Sequence, residues 1–151
     1  MTVVKVISGG QTGVDRAALD TALELGLSCG GWCPQGRLAE DGMIPPYYPI
    51  QETPSADYPQ RTEWNVRDSD GTLVLTKGSP TGGTAFTVEV AARLDRPCLI
   101  IDLADPPDIS VVRTWVTDHD IRILNIAGPR ESIFAGIYED AKHFLHALLA
   151  A

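Results

Sequence analysis

The sequence predicts an α/β fold built on a mainly parallel sheet of about five strands, on three observations. Short, nearly continuous apolar runs alternate with segments of helical period along the chain, the pattern of βαβ units. Runs such as "VVKVIS" and "GTLVLT" suit parallel strands buried on both faces. Two glycine-rich turns directly follow strands, after Ser8 and after Thr76, at the carboxyl edge where such sheets bind ligands.

In order, Val3 to Ser8 reads as the first strand and Val14 to Leu25 as a helix with Val14, Ala18, Ala22 and Leu25 on one face. Thr12 is a natural N-cap with Asp15 three residues on, a capping-box-like pair, and Gly26 ends the helix. "CGGWCP", Cys29 to Pro34, is a short second strand. From Pro34 to Gln60 six of the eleven prolines fall in a stretch without helical or strand period, and such long loops are usually functional or disordered. Its Ile44, Tyr47, Tyr48, Ile50 and Tyr58 predict an ordered loop packed on the body. Arg61 to Asp68 forms a short helix, Gly71 to Thr76 a strand, Ala85 to Leu94 a helix and Pro97 to Leu103 a strand. Ile109 to Thr117 is helical, and Ile121 to Ala127 is the last strand, broken by Gly128 and Pro129. Ile133, Ile137, Ala141, Phe144 and Leu148 give a final helical stripe. Crossovers are expected to be right-handed.

The 151 residues fit a single domain, 1–151, large enough to bury a core without disulfides or metals. No apolar run approaches the roughly 20 residues of a membrane span, and the chain opens directly on a strand pattern, so a cytoplasmic location without a signal peptide is expected. A net charge of −8 argues against a nucleic-acid or anionic-membrane surface, which needs clustered Lys and Arg. It leaves room for an anion held by backbone N–H groups. Three scattered cysteines, Cys29, Cys33 and Cys98, read as reduced thiols rather than a disulfide framework or a zinc site. His143 and His146 read as surface or packing residues, and His119 as part of a solvated loop.

"SGGQTG" carries the first candidate site. Gly9, Gly10 and Gly13 let the backbone turn sharply and approach a ligand. Helix N–H groups and the helix dipole favour an anion there. Gln11 and Thr12 add donors, and Arg16 one turn on adds a charged fork. The loop lacks the G-x-x-x-x-G-K-[ST] lysine and the G-x-G-x-x-G spacing, so ATP hydrolysis is not expected and no catalytic residue is assigned. "SPTGGT" repeats the device with Gly82, Gly83 and Thr84. "RTEWNVRDSDGT" places Arg61 and Asn65 on one helix face, with Asp68, Ser69 and Asp70 before a strand as readers of a sugar or heterocycle. The two turns together predict a cleft for an extended phosphate-bearing ligand.

The segments "SGGQTGVDRAALD", "GGWCPQGRLAEDG", "IPPYYPIQET", "RTEWNVRDSDGTLVL", "GGTAFT" and "RPCLIIDL" resemble the molybdenum cofactor carrier family. That family belongs to the Rossmann-like nucleotide-binding group that includes the lysine-decarboxylase-like, Lonely guy type phosphoribohydrolases. The resemblance runs from Val3 to Leu103. It implies a Rossmann-like three-layer sandwich, homo-oligomeric, that binds molybdenum cofactor (molybdopterin) or a related nucleotide-like ligand as cargo. As a carrier or store it would have molybdoenzymes among its partners. The phosphoribohydrolases share P-G-G-x-G-T-x-x-E; Gly83-Thr84 fits the G-T, but Thr87 stands where the glutamate should be. Glu89 is two residues on, about 200° around a helix, and should face away. The expectation is therefore binding without catalysis. The alternatives are a nucleoside-monophosphate hydrolase using Asp68, Asp70 or Glu40, and a nucleotide-sensing module.

Overall fold

The computed structural model describes residues 1–150. Its elements are β1 Lys5–Ile7, α1 Val14–Leu25, β2 Ser28–Gly30, β3 Trp32–Cys33, β4 Leu38–Ala39, β5 Gly42–Met43, β6 Gln51–Glu52, α2 Tyr58–Arg67, β7 Gly71–Thr76, α3 Gly82–Arg93, β8 Cys98–Asp102, α4 Ile109–Asp118, β9 Ile123–Ala127 and α5 Ile137–Leu149. The central sheet has five strands in the order β2-β1-β9-β7-β8, every neighbour parallel. This is the predicted α/β, Rossmann-like architecture.

Strand side chains alternate between faces, and two clusters show which helices cover each. Val14 and Ala18 of α1, Val112 of α4 and Phe144 of α5 pack with Leu73, Leu124 and Ile126. On the opposite face Val66 of α2 and Val90 and Ala91 of α3 pack with Phe86 and Cys98. β7 is buried at all six positions, as a central parallel strand should be. The edge strand β8 leaves Ile100 42 % exposed. Helix α1, after β1, and α3, after β7, therefore leave the sheet towards opposite faces with β9 between them. That divergence opens a crevice at the carboxyl edge, the topological switch point of such sheets.

The structure shifts several predicted boundaries. The second strand splits at Gly31, whose φ of +132° bends the chain. A β-carbon there would lie 2.2 Å from the Ser8 carbonyl. β3 then pairs with β6 instead of joining the main sheet. The long loop is ordered by packing: Ile44, Tyr48 and Ile50 close with Cys33 over Leu19 of α1. Arg37 ties it internally, donating to the carbonyls of Ile50 at 2.9 Å and Pro45 at 2.8 Å. A fan of bonds from one side chain leaves no periodic trace. Tyr47 and Tyr58, expected in the packing, are exposed. α2 begins at Tyr58 and α3 at Gly82, each three residues earlier than predicted. Ile133 lies outside α5 and is exposed, so it does not extend that helix's apolar stripe.

Candidate functional site

A cleft of about 380 Å³ occupies the crevice. Its walls come from the turn after β1, the Gly128–Arg130 turn after β9, one face of α2 and the amino end of α3. Both glycine turns thus reach one cavity, but in different ways.

The first turn is folded against protein. Gly10 and Gly13 take φ of +81° and +78°, where a side chain is strained. A β-carbon on Gly13 would lie 2.4 Å from the Pro129 carbonyl. The same carbonyl accepts from Val14 N–H at 3.3 Å, and the Asp15 carboxylate accepts from Gln11 N–H at 3.2 Å. The amino end of α1 is therefore partly answered from within. Thr12 does not cap the helix: the N-cap is Gly13. The Thr12 hydroxyl donates to Glu40 and accepts from Glu131 N–H. Arg16 does not reach the cleft either. Its Nε donates to the Gly10 carbonyl at 2.9 Å, and its two terminal nitrogens grip Asp41 at 2.7 and 2.8 Å. Gly9 and Gln11 line the cavity; Gly10, Thr12, Gly13 and Arg16 shape the turn from outside it.

The second turn is open. Helix α3 starts at Gly82 without a side-chain cap. A β-carbon on Gly82 or Gly83 would meet nothing within 4 Å. Thr84, also on the cleft wall, is 7 % exposed. Thr87 lines the cleft too and donates to the Gly83 carbonyl at 3.1 Å, whereas Glu89 is exposed and off the lining.

Arg61 and Asn65 do share the predicted face of α2, and both line the cleft. Arg61 Nη1 donates to the Gly9 carbonyl at 3.1 Å and stands 3.9 Å from Asp15 Oδ2. Its guanidinium lies over the Tyr58 ring at 5.1 Å, a cation–π arrangement. Asn65 pairs doubly with the Trp32 backbone, at 2.8 and 3.0 Å, which pins α2 to β3. Ser69 and Asp70 lie elsewhere. They precede β7, at the edge opposite its glycine turn. The Ser69 hydroxyl closes α2 on the Val66 carbonyl. Asp70 accepts from the N–H groups of Arg122 and Ile123 at 3.0 and 2.9 Å. Asp68 holds Trp32 Nε1 and Arg67, and Glu40 holds Thr12, Ser132 and Arg130. None of these carboxylates lines the cleft.

The lining residues that the sequence did not mark as ligand contacts include Asp15, Asn125 and Arg130. Asp15 is 6 % exposed, and burial pushes its carboxyl above the ordinary range, with Arg61 pulling the other way. Asn125 is 2 % exposed and donates to Thr72 at 3.2 Å across β9 and β7. A lone carboxamide in the apolar run "RILNIA" was the available signal. Arg130 sits on the exposed rim. The cleft therefore has a deep polar floor and a rim that offers free helix N–H groups and an arginine.

The model of the circularly permutated YpsA SLOG family matches residues 6–149 of this chain. The chain belongs to that family. The match spans both glycine turns, α2 and the turn after β9, so every wall of the cleft lies inside the family's own fold. The SLOG chain is also similar to a solved crystal structure from Syntrophus aciditrophicus SB, named "putative molybdenum carrier protein". The two are 46 % identical over 99 % of this chain and 96 % of that one, with a TM-score of 0.95. No curated protein matches. No helix among the described residues is long and apolar enough to cross a membrane.

Proposed function

We propose that the chain binds molybdenum cofactor, in its molybdopterin form, in this cleft and holds it as a carrier or store without turning it over. The observation that carries the reading is the open amino end of α3, facing the same cavity as Arg61 and Arg130. Uncapped helix N–H groups and the Arg130 guanidinium form an anion-binding rim, with the Arg61 guanidinium set further in beside Asp15. The anion therefore sits at Gly82 and Gly83 rather than at the amino end of α1, which Pro129 and Asp15 partly answer. Half-buried Phe86 and the Tyr58 ring supply apolar wall for a flat heterocycle. The similar crystal structure bears a molybdenum carrier name, which supports the choice of cargo.

A second reading rests on Asp15. A buried carboxyl with a raised pKa in a cleft is the profile of a proton-transferring group, so hydrolysis of a nucleoside monophosphate is the rival. It would show as release of free base and ribose 5-phosphate on chromatography.

The deciding experiment is gentle purification from a host that makes molybdenum cofactor, followed by mass spectrometry and elemental analysis of what co-purifies. A pterin with stoichiometric molybdenum supports the carrier reading. A bound nucleotide, with no saturable cofactor binding, overturns it.

A further inference from the structure

The floor of the cleft holds more hydrogen-bonding capacity than the protein uses. An ionised carboxylate offers about four acceptor sites, yet Asp15 accepts one protein N–H, from Gln11, with Ser8 close beside it. The Ser8 hydroxyl proton goes to the Ile126 carbonyl at 2.7 Å. Gln11 engages only its oxygen, which accepts from Thr12 and Glu40 N–H groups, leaving its amide N–H₂ free. Asn125 engages only its amide nitrogen, leaving its oxygen free. Thr84 makes no side-chain hydrogen bond among the described residues. All four are more than nine-tenths buried and line one cavity. No buried side-chain nitrogen or oxygen among the described residues is sealed from solvent without a partner, so the spare capacity faces the opening. Unpaired polar groups are costly when a ligand dries the site. The ligand that fits is the one that answers them.

We propose that Asp15, with Asn125 beside the same floor, reads the ring edge of the ligand and selects a heterocycle with adjacent N–H and amino donors. That is the 2-amino-4-oxo-pyrimidine edge, shared by pterins and guanine. This rests on the cleft being the ligand site, as proposed above. A carboxylate pairs with two adjacent N–H donors. It repels the ring nitrogen lone pair that adenine presents in the same place, and it repels the oxygen that replaces the amino group in xanthine and lumazine rings. The charge balance agrees: Arg61 is the nearest cation at 3.9 Å, and Arg16 on the same helix turn is tied to Asp41. A bound amino-oxo edge would supply the donors that the buried carboxylate lacks. Specificity then lies in the floor and anion affinity in the rim.

The test is titration calorimetry of the full chain at pH 7 with two matched sets: GMP, IMP, XMP and AMP, and pterin-6-carboxylate against lumazine-6-carboxylate. Within each set that binds, the amino-oxo ring should bind about tenfold tighter or better, the discrimination a two-point polar contact provides. Asp15→Asn should shrink that preference to about twofold, on the same principle. Preference in the pterin pair supports the inference together with the cofactor reading. Preference confined to GMP keeps Asp15 as the reader and overturns molybdopterin as the cargo. Equal binding of GMP and IMP, tightest binding of AMP, or no saturable binding of either set overturns the inference from the wild-type chain alone, so it stays falsifiable if Asp15→Asn fails to fold. Undiminished preference in a folded Asp15→Asn variant overturns it as well.

Discussion

Arg61 Nη1 lies 2.4 Å from where a β-carbon on Gly9 would stand, and donates to the Gly9 carbonyl at 3.1 Å. The glycine makes room for the guanidinium, and the guanidinium fixes the turn. Gly9→Ala should therefore push Arg61 out of the cleft, costing about 1 kcal/mol of stability for the lost hydrogen bond and weakening ligand binding. Because both residues act through one contact, the effects should not add. In an Arg61→Ala background, Gly9→Ala should cost much less. Denaturant melts of the four proteins check this, and strict additivity would show that the two positions are independent.

Gly83 offers the cleanest separation of binding from folding. Its β-carbon has open space and its φ lies outside the left-handed region. An acidic side chain in the first turn of α3 is favourable for the helix. Gly83→Asp should leave stability within about 0.5 kcal/mol, as surface substitutions usually do. It should also cut affinity for an anionic ligand by about tenfold or more, by setting a carboxylate where charge-assisted bonds form. Gly83→Asn, of similar size and neutral, should lose much less. Equal losses in the two variants would mean that bulk, not charge, blocks the site.

Asp15 should make the fold less stable as pH rises. Its folded-state carboxyl titrates above the ordinary value of 3.8 because burial disfavours the charge. Between the unfolded and folded pKa values the native state binds more protons than the unfolded chain, so stability falls with increasing pH across that window. Asp15→Asn keeps an acceptor for Gln11 N–H and removes the buried charge. It should raise the melting temperature at pH 7 and flatten the pH dependence just above pH 4, about the unfolded carboxylate value. Thermal melts from pH 4 to pH 8 would show it. A variant less stable than the parent at pH 7 would mean that the Arg61 attraction outweighs desolvation.

The strands and helices were legible because each depends on local period and burial. β7 and α1 fall where the apolar runs put them. The site was half legible. Gly9, Gln11, Arg61, Asn65, Gly82, Gly83 and Thr84 converge on the cleft, since turns after parallel strands must meet at one edge. Arg16, Ser69 and Asp70 could not be sorted from sequence. What takes Arg16 and Asp70 out is long-range: Asp41 lies 25 residues from Arg16, and Ile123 lies 53 from Asp70; Ser69 instead closes the end of α2 on the Val66 carbonyl. Asp15 was visible but read as a capping partner, because spacing alone does not show that a carboxyl faces a cavity. The order β1-β9-β7 brings in Asn125 and Arg130, and no local pattern announces that the last strand inserts between earlier ones.

The long loop is anchored at Asp20, whose carboxylate accepts from the hydroxyls of Tyr48, at 2.6 Å, and Tyr138. One acid on α1 thereby ties the loop to α5. Burial and that hydrogen bond push both phenols up, so they remain donors throughout the physiological range. A hydrogen bond to a charged group contributes about 1.5–3 kcal/mol, so Tyr48→Phe should lower stability by roughly that amount. The local effect should be larger than the global one. Arg37 is the single Lys or Arg between Pro34 and Asp57, and its guanidinium is folded into the loop's own carbonyls. Loosening the Tyr48 anchor should expose the bond after Arg37 to trypsin under native conditions. Tyr48 does not line the cleft, so ligand affinity should stay within about twofold, a small effect on the 1.4 kcal/mol-per-decade scale. If cleavage at Arg37 stays slow while affinity collapses, the loop is held by its apolar contacts with Leu19 and Tyr48 acts on the site through the turn around Gly10.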